Sequence, residues 1–142
     1  MTRPRIYCAH PMTAYGTICE RRSLAAIRRL LPGVHLVDPN GMFTSTGDWL
    51  ERWPDVLGTL DALILFADER GAIGAGCVQE VTGAHRAGVP VALFDHGTRR
   101  LHRLAALAFP DLPTLRVAGR PVAGEVLTWE LVGRPPRICE VP

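Results

Sequence analysis

Two short, continuous apolar runs constrain this chain most: "ALILFA" at 62–67 and "VPVALF" at 89–94. Neither alternates polar with apolar, so each reads as a strand buried on both faces, the pattern of a parallel sheet covered by helices. The segments around them carry helical spacing. Over 17–31, Leu24, Ile27 and Leu31 recur on one side, behind a Thr17-x-x-Glu20 capping box and before a Pro32-Gly33 stop. Over 48–59, Trp49, Trp53 and Val56 share a side, and Pro54 sits in the first turn or breaks the helix. Over 76–87, Cys77, Val81 and Ala84 point inward and Gly88 closes the helix. Strands at 5–9 and 34–38 complete the alternation. The expected architecture is α/β: a three-layer sandwich around a mainly parallel, flavodoxin- or Rossmann-like sheet of about five strands.

Beyond Asp95 the order is less regular. The reading there is a short helix at 99–109, strands at 114–118 and 125–132, and an extended Pro-rich tail. With 142 residues and 47% hydrophobic content, the chain suits one domain spanning 1–142. The net charge of +2 argues neither way about nucleic acid. Cys8, Cys19, Cys77 and Cys139 are scattered, with no CxxC pair, so a zinc site is disfavoured and the thiols read as reduced. The N-terminus lacks the apolar run of a signal peptide, and no apolar stretch is long enough to span a bilayer. A cytoplasmic protein is expected.

In an open parallel sheet, ligands bind outside the carboxyl ends of the strands. Three loops meet that condition, at 9–16, 38–47 and 67–76. The first carries His10, Pro11 and Met12; the second carries Asp38 and Asn40; the third leads through Gly74 and Gly76 into a helix. Those glycines would let a ligand approach the backbone closely. Glu80, about a turn into that helix, is the sharpest candidate for chemistry, because a carboxylate beside a small-molecule pocket can act as a nucleophile. A solvated helix Glu is the bland alternative. Tyr7, in the first strand, could orient such a carboxylate or simply pack in the core. Asp55 and Asp61, ahead of the third strand, could each accept a hydrogen bond from a base edge, or face solvent and end a helix. No His-Cys-Glu metal cluster or nucleophile elbow stands out.

Taken together, "IYCAHPMTAYGT", "VDPN", "LDALILFAD" and "GAIGAGCVQEVTGAHRAGVPV", in that order over roughly 5–95, resemble the nucleoside 2-deoxyribosyltransferase-like superfamily. It includes deoxyribosyltransferases and nucleoside 5'-monophosphate N-glycosidases. The resemblance implies that Glu80 is the nucleophile, that Tyr7 orients it, and that His10, Pro11 and Met12 wrap the base or sugar. It implies that Asp55 or Asp61 helps bind the base. The partner implied is a nucleoside or nucleotide, not a nucleic acid polymer or a membrane, with no cofactor or metal. The implied activity is N-glycosidic cleavage, by hydrolysis or by base exchange, in a homodimer or larger homo-oligomer. The family's late Asn, supplied by a neighbouring subunit, has no counterpart here, since Asn40 is the only Asn in the chain.

Overall fold

A computed structural model of the chain describes residues 3–103 and 116–118. Strand β1 (Arg5–Ala9) leads through a single 3-10 turn (Met12–Ala14) into helix α1 (Ile18–Leu30). There follow β2 (His35–Val37), α2 (Thr46–Leu57), β3 (Ala62–Leu65), β4 (Ala72–Gly74), α3 (Ala75–Arg86), β5 (Val91–Asp95), β6 (Arg100–Arg103) and β7 (Arg116–Ala118). The main sheet has the order β2-β1-β3-β5-β6. Its first four strands are parallel, and β6 returns antiparallel to β5. The expected α/β sandwich with a mostly parallel five-stranded sheet is the architecture present.

Strand alternation sorts the core into two layers. Ile6, Cys8, Ile64, Phe66, Ala92 and Phe94 face one way and meet Leu24 and Ile27 of α1. Tyr7, Ala9, Leu63, Leu65, Val91 and Leu93 face the other way and meet Trp53 of α2 and Cys77, Val78, Val81 and Ala84 of α3. The inward faces expected of all three helices are therefore the buried ones. The chain leaves β1 toward β2 on one side and returns past β1 to β3 on the other. The sheet's reversal of direction thus lies between β1 and β3, where a ligand crevice belongs.

Local chemistry starts and stops these elements. Thr17 caps α1, its hydroxyl accepting from the Glu20 N–H at 3.2 Å. The reciprocal half of the box is shifted by one residue: Glu20 Oε1 accepts from the Gly16 N–H at 3.1 Å, while the Thr17 N–H bonds the Ala14 carbonyl. Ser45 caps α2 in the same way, accepting from the Asp48 N–H.

The structure departs from the sequence reading in three places. Pro54 lies inside α2, past its first turn, without ending it. Its missing N–H removes one helical hydrogen bond, and the packing of Trp49, Trp53 and Val56 on the sheet holds the helix regardless. Residues 100–103, read as the start of a helix, form β6. Asp95 builds the turn that reverses the chain: it accepts from the Gly97 N–H and the Thr98 hydroxyl, its carbonyl accepts from the Arg99 N–H, and Arg99 takes a left-handed φ of 57°. Leu101 then pairs opposite Phe94 and enters the α1 layer. Turn chemistry and the open edge of β5 outweigh helix propensity there. The 67–76 loop also contains β4, which pairs with β7 in a separate parallel two-stranded sheet. The strand expected at 125–132, the Pro-rich tail and Cys139 lie outside the described residues.

Candidate active site

Alternation along β1 turns Tyr7 toward the layer of α2 and α3, where it is fully buried with its ring 4.9 Å from that of Trp53. Its hydroxyl donates a short hydrogen bond to Glu80 Oε2. The indole N–H of Trp49, on α2, donates to the same oxygen at 3.1 Å. Among the described residues both donors meet Oε2, and Oε1 receives neither. Glu80 is 5% exposed. Burial pushes its carboxyl up to about 7 from the ordinary 4.5, against the opposing pull of the Tyr7 and Trp49 hydrogen bonds. Burial, followed by the charge of Glu80, pushes the Tyr7 and Cys77 groups well above their usual ranges, so both stay protonated. The site is an enclosed carboxylate, half ionised near neutrality, with one oxygen tied by two neutral donors.

Trp49 was legible only as a core residue. The available signal was chemical: an indole N–H on an inward helix face must find a buried acceptor. Asp68 was also missed. It lies just beyond the carboxyl end of β3, is 5% exposed, and accepts from the Thr13 hydroxyl at 2.6 Å and from the Arg70 and Ala72 N–H groups at 2.9 and 3.0 Å. Burial raises its carboxyl, and these hydrogen bonds more than reverse that, holding it below its usual range. Asp68 thereby clips the loop after β1 to the loop after β3. Tyr15 belongs to the same neighbourhood: burial first, and then the Glu80 charge, raises its phenol.

The other expected site residues separate into groups. Pro11 is buried and approaches Gly74, the residue that precedes α3. Met12 stands 80% exposed on the 3-10 turn. No neighbour demands glycine at 74 or 76: an added Cβ would meet only ordinary contacts at Gly74 and open space at Gly76. Asp61 is placed away from this group. Its carboxylate accepts from the Arg5 N–H at 2.8 Å, at the amino end of β1, opposite the crevice. Asp55 is exposed on α2 and no hydrogen bond or ion pair joins it to Glu80. His10 and Asn40 converge instead on Glu20. Ligand atoms of His10, Glu20 and Asp38 lie within 4.8 Å of one another, and a cation there would have to displace the 2.7 Å contact between His10 Nε2 and Glu20.

A cavity of about 330 Å³ opens beyond the carboxyl ends of β3 and β5, lined by Cys19, Asp68, Arg70, Asp95 and His96 among others. Glu80 does not line it; Asp68, through Thr13, links its wall to the loop after β1. His96 closes one side, its Nε2 2.8 Å from the Ala67 carbonyl and 3.8 Å from Cys19 Sγ. Among the described residues no helix is long and apolar enough to cross a membrane.

No protein-family model matches the chain, and no curated protein matches it. Among solved structures, the crystal structure of a conserved protein from Enterococcus faecalis V583 is similar, with a TM-score of 0.53 and 20% sequence identity. The match covers 65% of this chain and 63% of that one, so this chain spans less than two thirds of its relative's length. At that identity the likeness is one of fold: an independent chain arranges its backbone in the same α/β pattern.

Proposed function

We propose that this protein cleaves the N-glycosidic bond of a nucleoside or nucleoside 5'-monophosphate, with Glu80 as the nucleophile. The observation that carries the reading is the convergence of Tyr7, on β1, and Trp49, on α2, on one oxygen of an enclosed carboxylate on α3. A buried carboxylate bound by two neutral donors, with no cation beside it among the groups that set its charge, is poised to meet positive charge from a ligand. A glycosyl centre at C1' develops that charge as its bond to the base lengthens. Oε1 attacks C1'; the C1'–N bond breaks, and its electron pair leaves with the base, which takes up a proton. Water then attacks C1', loses a proton, and returns the carboxylate, so the products are free base and sugar or sugar 5-phosphate. Tyr7 and Trp49 hold Oε2, which leaves Oε1 as the attacking oxygen. The loop after β1 brings Pro11 to Gly74, just ahead of the helix that carries Glu80.

Incubating the protein with a nucleoside and nucleotide panel and separating free base by chromatography tests this. Base released in water is the expected result. Release only when a second base is supplied identifies base exchange. Binding without release identifies a ligand-sensing module and removes the nucleophile role.

A further inference from the structure

In the sequence His10 resembles a ligand contact, yet its side chain is wholly enclosed. Nδ1 lies 2.7 Å from the Cys8 carbonyl oxygen, and Nε2 lies 2.7 Å from Glu20 Oε2. A carbonyl only accepts, and so does an ionised carboxylate, whereas a neutral imidazole carries one N–H. Both contacts are therefore hydrogen bonds only if the ring holds two protons or Glu20 holds one. The surroundings of Glu20 choose between these. The Gly16 N–H reaches Oε1 at 3.1 Å, and Asn40 Nδ2 reaches the two oxygens at 3.0 and 3.2 Å. With His10, three donor groups converge on one carboxyl. That suits a carboxylate, since Asn40 Nδ2 also reaches Oε2, the oxygen that would carry the hydroxyl of a protonated Glu20. Burial raises the Glu20 carboxyl, and the hydrogen bonds from His10, Gly16 and Asn40 outweigh it. The remaining neighbours suit a cation. Asp38 Oδ1 is 3.7 Å from Nε2, and Phe66 stacks on the ring at 4.3 Å.

We propose that His10 is a positioning residue: as an imidazolium paired with Glu20, it latches the loop over 10–17 onto α1 and onto the loop after β2. The latch sets where Pro11, Met12 and Thr13 stand beside the Glu80 crevice. Its effect on turnover rests on the reading of Glu80 above; the latch itself does not. No latch residue touches Glu80, so loosening it weakens ligand binding and spares the attack.

The test uses Glu20→Gln and Asn40→Ala in the full chain, read by amide hydrogen exchange. Gln keeps the size of Glu20 but sets an NH₂ group against donors. The Gly16 amide should exchange about tenfold faster in Glu20→Gln and several-fold faster in Asn40→Ala, while the Leu63 and Ile64 amides keep their protection. With a neutral His10 and a protonated Glu20, the Gln NH₂ would donate to Nε2, and Gly16 exchange would stay the same or slow; that result overturns the proposal. Should Glu20→Gln not fold, unchanged Gly16 exchange in Asn40→Ala overturns it equally. On any substrate from the panel, KM should rise several-fold with kcat nearly unchanged, and a fall in kcat at constant KM contradicts the positioning role. If the wild-type protein releases no base, the Glu80 reading fails, and the exchange data still decide the latch.

Discussion

The charge of Glu80 is decided by what surrounds it, and on the proposed mechanism one carboxyl governs both turnover and stability. Its ordinary value of 4.5 becomes about 7 in the fold. On the proposed mechanism the ionised form attacks, so kcat/KM should rise with pH and level off above about 7. Stability runs the other way. Between 4.5 and about 7 the native state keeps a proton that the unfolded chain has lost, so this group favours the fold at low pH. That contribution, about 3 kcal/mol, disappears as pH climbs through the folded value. Glu80→Gln should therefore abolish base release yet melt above the wild type at pH 8, with the gap closing near pH 5; differential scanning calorimetry at the two pH values checks it. Normal turnover in that variant would remove Glu80 from the chemistry. Tyr7→Phe and Trp49→Phe each delete one donor and keep an aromatic ring. Each should cost roughly 0.5–3 kcal/mol of barrier, and each should shift the pH midpoint of activity upward, because both hydrogen bonds favour the ionised form. A downward or absent shift in both would show that neither bond matters to the reacting carboxylate.

At the scale of elements, the start of α3 offers a clean separation of packing from ligand contact. Gly76 is the second residue of the helix and has open space where a Cβ would go. Gly76→Ala should leave the fold intact and even stabilise the helix, by up to about 1 kcal/mol from propensity. Activity should fall, since the methyl group narrows the approach to the crevice. Unchanged activity together with raised stability would place the ligand elsewhere. The start of α1 shows the opposite balance. Thr17 caps the helix, its hydroxyl also donating to the Ala14 carbonyl at 2.6 Å. Thr17→Ala should cost about 1 kcal/mol, measurable by urea denaturation. The cap shares Glu20 with the His10 network, so helix start and loop position are one structure.

At the scale of the whole molecule, four parallel strands and one antiparallel edge leave the carboxyl ends of β1, β3 and β5 on one side, where Asp68, the Gly-rich segment and the cavity gather. Assembly is the remaining expectation. The resemblance implies pockets completed by a neighbouring chain, and the segment after Asp95 is rich in apolar side chains. Of these, Leu101 is already used by the chain's own core; Leu104, Leu107, Phe109, Trp129 and Leu131 lie outside the described residues. We expect a homodimer or larger, and light scattering at micromolar concentration checks it. A mass that stays at 15.5 kDa on concentrating the sample contradicts it.

Periodicity is a local property, and the sequence by itself determined what depends on it: the strands β1, β3 and β5, the inward faces of three helices, and the loops that follow the carboxyl ends of the strands. Glu80 and Tyr7 stood out as candidates because one follows a Gly-rich turn and the other precedes a polar loop. Tertiary structure alone decided the rest. Tyr7 and Glu80 are 73 residues apart, and no local signal says that their side chains meet. Trp49 reads as core until its N–H finds an acceptor on another helix. Asp61 and Asp68 flank the same strand and look alike in sequence, yet strand direction sends one to the amino end of the sheet and the other toward the crevice. His10 has the same neighbours in the chain whether it faces ligand or interior; Glu20 and Phe66, brought to it by the fold, enclose it. Residues 100–103 read as helix in sequence, and pairing on the open edge of β5 made them a strand. In each case the deciding energy lies in a contact between distant segments, which no short window of sequence contains.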